Sequence, residues 1–272
     1  MDLRDRLAFT TIGCPGWSFE KVVSNAAAMG FSAIEIRGVA DELQFWRVPS
    51  FLPQNRNATK ELLRKNHLVI SVIGTSSTFH EAGGTENAIA EGREAIALCE
   101  AMGIMGIRVF GDSFPPGEKK EDVLRRVADG LKTLCDAAKG GPVQVLLEIH
   151  GRFNTVDVLS DLMERMEGSS NFGFLWDLEH SYVACGNDFE PFYRLIGPYV
   201  RHVHVKDCRI VDGKAKTCLP GRGDVDIAGI VRMLERDGYR GLYSFEWEKR
   251  WIPELEEPES VFPLYVSFMN AL

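Results

Sequence analysis

Short runs of β-branched and aromatic residues alternate with longer amphipathic stretches along the whole chain. The short runs read as strands: LAFTTI (7–12), SAIEIR (32–37), LVISVIG (68–74), GIRVF (106–110), VQVLLEI (143–149), FGFLWDL (172–178), VRHVHV (200–205) and LYSFEW (242–247). Between them, EKVVSNAAAM, TKELLRKN, ENAIAEGREAIALCEAM, EDVLRRVADGLKTLCDAAK, TVDVLSDLMERM and IAGIVRMLERDG repeat apolar residues at helical spacing. Gly30, Asn66, Gly103, Gly140 and Gly238 follow helical stretches, where a left-handed residue closes a helix at little cost. Strands alternating with helices imply parallel βαβ units, and eight such units close into a (β/α)8 barrel. The expected fold class is therefore α/β, a single TIM barrel. No linker or low-complexity segment interrupts the sequence, so residues 1–272 are expected to form one domain. The rival, an open doubly wound sheet, lacks its usual GxGxxG after the first strand.

Strand parity raises a question of chemistry. Side chains alternate across a strand, so in VRHVHVKD the residues Val203 and Val205 share one face while His202, His204 and Lys206 share the other. If the valines pack on helices, the ionisable residues point into the barrel, near the C-terminal mouth where barrel active sites are built. The same rule turns Glu148 and His150 inward on the fifth strand, Asp177 on the sixth, and Ser244, Glu246 and Glu248 on the eighth. Four consecutive strands thus aim Glu148, Asp177, His204 and Glu246 at one mouth. Three carboxylates and an imidazole at low dielectric call for a cation. The oxygen-rich set favours Mn²⁺ or Mg²⁺, with Co²⁺ or Zn²⁺ as alternatives.

Composition narrows the partners. The formal net charge is −8, from 31 Lys and Arg against 39 Asp and Glu, with no long basic run; nucleic acid is not an expected partner. A chain of this length buries enough surface to fold without disulfides or a structural metal, so a metal here is expected to be functional. The six cysteines form no CxxC pair and read as reduced thiols. The amino-terminal stretch has no signal-peptide core and no apolar run reaches membrane-spanning length, so a cytoplasmic protein with no membrane partner is expected.

LLEIHG, the WDLEH spacing of Asp177 and His180, HVHVKD, the following PGRGDVDIAGIVRMLERDGYRG and the terminal SFEWE together resemble the xylose isomerase-like TIM barrels of the sugar isomerase and epimerase superfamily. The resemblance spans the chain and is specific from Glu148 onward. It implies that Glu148, Asp177, His204 and Glu246 bind one divalent metal and that His180 lies beside the substrate. It also implies a small sugar or polyol substrate, and homodimers or homotetramers are common in the family. The expected reaction starts from a ketose whose carbonyl and neighbouring hydroxyl sit on the metal, with an enediolate stabilised by Lewis acidity. Glu148 and Glu246 are the expected proton-transfer pair. Return of the proton to the opposite face gives an epimer; return to the neighbouring carbon gives an isomer.

Other residues keep two readings. His180 contacts substrate or caps the next helix. His202 lies one layer deeper and reads as a hydrogen-bonded core histidine. Lys206 holds a substrate oxygen, or pairs with Glu179 or Glu248. Glu35, Arg37 and His80 are candidate substrate contacts from the amino-terminal half, and Arg152 and Arg222 are candidates for polar substrate groups or surface salt bridges. Trp17 and Phe114 form an apolar wall or simply pack their loops. Two rival functions share the barrel: an inosose dehydratase-like lyase, which would expel a β-hydroxyl from the same intermediate, and an apurinic endonuclease, which uses three zinc ions. The second needs further histidines, where this chain has Gly111 and Asp226.

Overall fold

A computed structural model describes residues 2–272. In chain order its strands are β1 (Leu7–Thr10), β2 (Ala33–Ile36), β3 (Val69–Thr78), β4 (Gly106–Phe110), β5 (Gln144–Glu148), β6 (Phe172–Asp177), β7 (Val200–Val205), β8 (Asp207–Val211), β9 (Lys214–Cys218) and β10 (Leu242–Phe245). The helices are α1 (Phe19–Met29), α2 (Arg56–Lys65), α3 (Thr85–Met102), α4 (Lys120–Ala137), α5 (Val156–Arg165), α6 (Leu178–Cys185), α7 (Glu190–Ile196), α8 (Ile227–Arg236) and α9 (Pro258–Asn270). Eight strands form a closed barrel in the order β1-β10-β7-β6-β5-β4-β3-β2, while β8 and β9 make a separate two-stranded sheet. This is the (β/α)8 barrel that the alternation of strands and helices implies.

Two compact units make up the chain: residues 1–73 with 202–272, and residues 74–201. In the first unit β1 pairs in parallel with β10 and β2, and β10 with β7 in a register that sets Ser244 beside His204. The outward face of β10 packs on helices: the Tyr243 hydroxyl donates to Glu235 of α8 at 2.7 Å, and the Phe245 ring stacks on Tyr265 of α9 at 4.7 Å. That outward packing turns Ser244 inward, as strand parity requires. Helix α8 starts where Asp226 accepts from the Gly229 amide, and it buries Ile227, Ile230, Val231 and Leu234 on one face.

The second unit builds β4, β5 and β6 as a parallel run, with Phe110 beside Glu148 and Glu148 beside Leu175. Trp176 leaves this sheet outward, donating from its indole to Ser181 at 2.7 Å and packing against Phe192 and Tyr193 of α7. Asp177, next in line, therefore faces the other way.

Two local expectations are corrected. The left-handed residue after α2 is His67, at φ 55°, while Asn66 has φ −98°. The segment 207–218, where the sequence pattern predicts no strand, forms the β8–β9 hairpin. Its tip is Asp212-Gly213, both at positive φ, the pair that suits a tight two-residue turn. The Val-Asp-Gly-Lys signal was present in the sequence.

Candidate active site

In the first unit, ionisable side chains gather at the carboxyl ends of β2, β7 and β10. Glu35 is fully buried, and its Oε2 accepts from His202 Nε2 at 2.8 Å, Ser244 Oγ at 2.9 Å and His204 Nε2 at 3.0 Å. Its Oε1 lies 2.9 Å from the same His204 Nε2. Burial alone would push the Glu35 carboxyl up, but the charges and hydrogen bonds of His204 and His202 outweigh it and hold the group well below its ordinary value. Glu35, an expected substrate contact, is engaged by three donors in this structure.

His204 turns its other ring nitrogen to the site, with Nδ1 3.4 Å from Glu246 Oε1. Glu246 Oε2 accepts from Lys206 Nζ at 2.9 Å, and Lys206 also reaches Glu248 at 3.2 Å. Burial raises the Glu246 carboxyl, yet His204 and Lys206 overcome that and leave it well below its ordinary value. Lys206 thus takes up the paired reading in the free protein, with Glu246 as an additional partner. The next residue, Asp207, is buried and accepts from the amides of Cys208, Gly221, Gly223 and Val225. A Cβ at Gly223 would lie 2.1 Å from its Oδ1. This accounts for the Lys-Asp and Gly-Arg-Gly-Asp motifs together: the aspartate ties down the loop whose glycines let it approach. Arg222 sits on that loop, and its carbonyl accepts from Arg209 Nε at 2.7 Å.

The second unit supplies Glu148 and Asp177, buried at 3% and 0% exposure, with an oxygen of each within 4.8 Å of the other. Glu148 Oε2 lies 3.0 Å from Arg108 Nε, a buried pair. Asp177 also caps α6 by accepting from the His180 amide at 2.9 Å. The His180 ring lies edge-on to His150 at 4.5 Å, so the helix start delivers it to the neighbourhood of Glu148 and His150. His150 Nδ1 is 3.1 Å from Asp112 Oδ1, and His80 Nε2 is 3.7 Å from Asp112 Oδ2. His80 thus joins a small cluster with His150 and Asp112.

Asp112 is a residue that sequence reasoning passed over, because it follows β4 in a left-handed conformation, at φ 64°, outside the parity of any strand. Its carbonyl accepts from the Arg152 amide at 2.6 Å, and Gly151, at φ 58°, passes so close that a Cβ would lie 2.3 Å from that carbonyl oxygen. Burial lowers the His150 imidazole, but the hydrogen bond to Asp112 and the nearby carboxylates of Glu148, Asp112 and Asp177 outweigh it and raise it. Asp112 is lowered in turn, mainly by that hydrogen bond. At position 111 a Cβ would lie 2.5 Å from the Phe153 ring, so the place where a nuclease needs a histidine has no room for one. Trp17 is buried and packs edge-on to Phe262 at 5.9 Å, and Phe114 lies 5.7 Å from Phe153; both are packed into their loops.

A parallel eight-stranded barrel with buried carboxylates and imidazoles at its strand ends defines a TIM barrel carrying groups able to hold a metal. The chain belongs to the xylose isomerase-like TIM barrel family, whose sequence model matches residues 23–264. It is similar to the inosose dehydratase of Serratia proteamaculans, with 27% identity over 89% of this chain and 85% of that protein. It is also 27% identical to the L-ribulose-5-phosphate 3-epimerase UlaE of Escherichia coli, over 61% of this chain and 57% of that protein. The barrel superimposes on the crystal structure of the IolI protein with a bound zinc atom at a TM-score of 0.80 and 18% identity, covering 98% of this chain and 96% of that one. Among the described residues, no helix is long and apolar enough to cross a membrane.

Proposed function

We propose that the protein moves a proton beside the carbonyl of a sugar or polyol, as a divalent-metal-dependent isomerase of the ketose epimerase or aldose–ketose isomerase type. Glu148, Asp177, His204 and Glu246 would hold the metal. The observation that carries this reading is that all four are buried residues at the carboxyl ends of β5, β6, β7 and β10, which follow one another in strand order. Hard oxygens with one imidazole suit Mn²⁺ or Mg²⁺, and the imidazole also serves Co²⁺ or Zn²⁺. Such a cation, when bound, supplies the Lewis acidity that stabilises the oxyanion of an enediolate.

The chain's own residues carry the proton. Glu148 and Glu246 each have a cationic partner, Arg108 and Lys206, which favours the carboxylate form needed in a base. While Lys206 stays on Glu246, that carboxylate is a weak base. Transfer of Lys206 to a substrate oxygen frees Oε2 and raises its basicity, so substrate binding itself readies the base. His180, His80 and Arg222 would serve as substrate contacts.

A second reading is a dehydratase. The relatives alike over 89% of the chain include inosose dehydratases, whereas the epimerase match spans 61%. The half-exposed His150, raised beside Asp112, is suited to protonating a departing β-hydroxyl. The three-zinc nuclease loses support from the blocked position at Gly111. One experiment separates these outcomes. The Mn²⁺-loaded protein is incubated with ketoses, ketose phosphates and inososes in D2O and followed by NMR. Deuterium at the carbon next to the carbonyl with the carbon skeleton and oxygens retained is expected; loss of water moves the assignment to a lyase, and no exchange with any of the compounds overturns both.

A further inference from the structure

We infer that Glu35 is a positioning residue that sets the tautomer of His204, leaving Nδ1 as the nitrogen that faces a metal. The inference rests on the metal reading of His204 and goes beyond it by explaining how the ligand is prepared.

An imidazole ring offers one N–H and one lone pair when neutral, and whichever nitrogen donates leaves the other to accept. His204 Nε2 lies 2.9 Å and 3.0 Å from the two oxygens of Glu35, so the proton belongs on Nε2. His204 Nδ1 then faces Glu246 Oε1 at 3.4 Å, the edge at which the ring can meet either a proton or a metal. Two acceptors at that separation repel each other unless a proton or a metal lies between them. The carboxylate–imidazole pair beneath and the carboxylate beside the ring therefore form the arrangement in which an outer carboxylate orients a metal-ligating histidine.

The rest of the cluster holds Glu35 in place. His202 Nε2 at 2.8 Å and Ser244 Oγ at 2.9 Å both donate to Oε2, and both side chains are fully buried. Ser244 reaches Glu35 because β10 and β7 pair with Ser244 beside His204, and Glu35 sits on β2, beside Thr10 of β1. Donors from two strands, β7 and β10, thus fix a carboxylate on a third, and that carboxylate fixes one ring. The histidine one layer deeper is part of the same device.

The test uses the full-length protein and Mn²⁺ alone. In wild type with and without Mn²⁺, 15N–1H correlation of the imidazole rings is expected to show a proton on His204 Nε2 throughout, with any proton on Nδ1 displaced when Mn²⁺ binds. Glu35→Gln, which keeps the shape and lowers acceptor strength, is expected to shift that signature and to weaken Mn²⁺ binding by about 10–100-fold in calorimetric titration. Ser244→Ala, which removes one donor from Glu35 and leaves its carboxylate on His204, is expected to keep the proton on Nε2 and to weaken Mn²⁺ binding less than Glu35→Gln does. A His204 Nε2 that carries no proton in Mn²⁺-bound wild type overturns the inference, and does so even if Glu35→Gln does not fold. Unchanged Mn²⁺ affinity in Glu35→Gln, alongside lost affinity in His204→Ala, overturns it while the metal reading stands. If His204→Ala binds Mn²⁺ as wild type does, the metal reading itself fails and this inference with it.

Discussion

Two histidine–carboxylate clusters stand at the strand ends, and the same chemical groups have different consequences in each. In the first unit, Glu35, His202 and His204 are fully excluded from solvent and joined by bonds of 2.8–3.0 Å. In the second, Asp112 and His150 pair at 3.1 Å with side chains 34% and 33% exposed. A buried carboxylate must keep its donors, because losing one leaves an acceptor that water cannot reach. A half-exposed pair exchanges its partner for water at small cost. The first cluster therefore acts as a fixed scaffold that presents ring and carboxylate, and the second is a group whose proton can be changed by pH or by substrate.

The sharpest way to break this contrast is through the scaffold's outward edge. Glu246→Gln keeps the shape of the side chain and removes its basicity, so solvent deuterium exchange into substrate should fall by about 10²–10⁴-fold while the metal-free fold persists. Wild-type exchange in that variant would remove Glu246 from the chemistry. The next effect tests the scaffold itself. His202→Ala and His204→Ala each strip a buried donor from Glu35, and each should cost about 1–3 kcal/mol in denaturant unfolding of the metal-free protein. His204→Ala should also lose Mn²⁺ affinity, and by far more than His202→Ala, which reaches the ligand only through Glu35. The strand pattern would reserve the stability loss for His202; the shared Glu35 extends it to both.

The second cluster can be attacked through its backbone. Gly151→Ala places a methyl against the Asp112 carbonyl at a positive φ, and a destabilisation of about 1–3 kcal/mol is expected, measured by unfolding, with altered substrate dependence of the rate. The smallest effect is electrostatic. His150 is raised by Asp112, so its contribution is complete below the unfolded imidazole value of about 6.5 and is lost as pH rises through its folded value. Asp112 is lowered, so its contribution is complete above the unfolded carboxyl value of about 3.9 and is lost as pH falls through its folded value. The gap in stability between wild type and Asp112→Asn should therefore peak between pH 4 and pH 6.5, at about 0.2–1 kcal/mol given the exposure and solvent screening, and shrink on either side. A flat difference from pH 3 to pH 9 would show that the pair contributes no titrating interaction.

Side-chain parity is a local property of an extended chain, and the sequence by itself carried it. Alternation in β7 separated Val203 and Val205 from His202, His204 and Lys206, and the same rule singled out Glu148, Asp177 and Glu246 without reference to distant contacts. The strand–helix alternation that specifies the barrel is equally local, and so is the Asp-Gly turn of the β8–β9 hairpin, a signal that was there to be read. Partnership is another matter. Glu35 is separated from His204 by 169 residues and from Ser244 by 209, and no periodicity links residues that only barrel closure and strand register bring together. A carboxylate at a strand end looks the same in sequence whether it faces a ligand or accepts from two histidines. Asp112 escaped notice because its left-handed backbone takes it out of strand parity. Which way a side chain turns follows from its neighbours along the chain, whereas what it meets there follows from the packing of strands far apart in sequence.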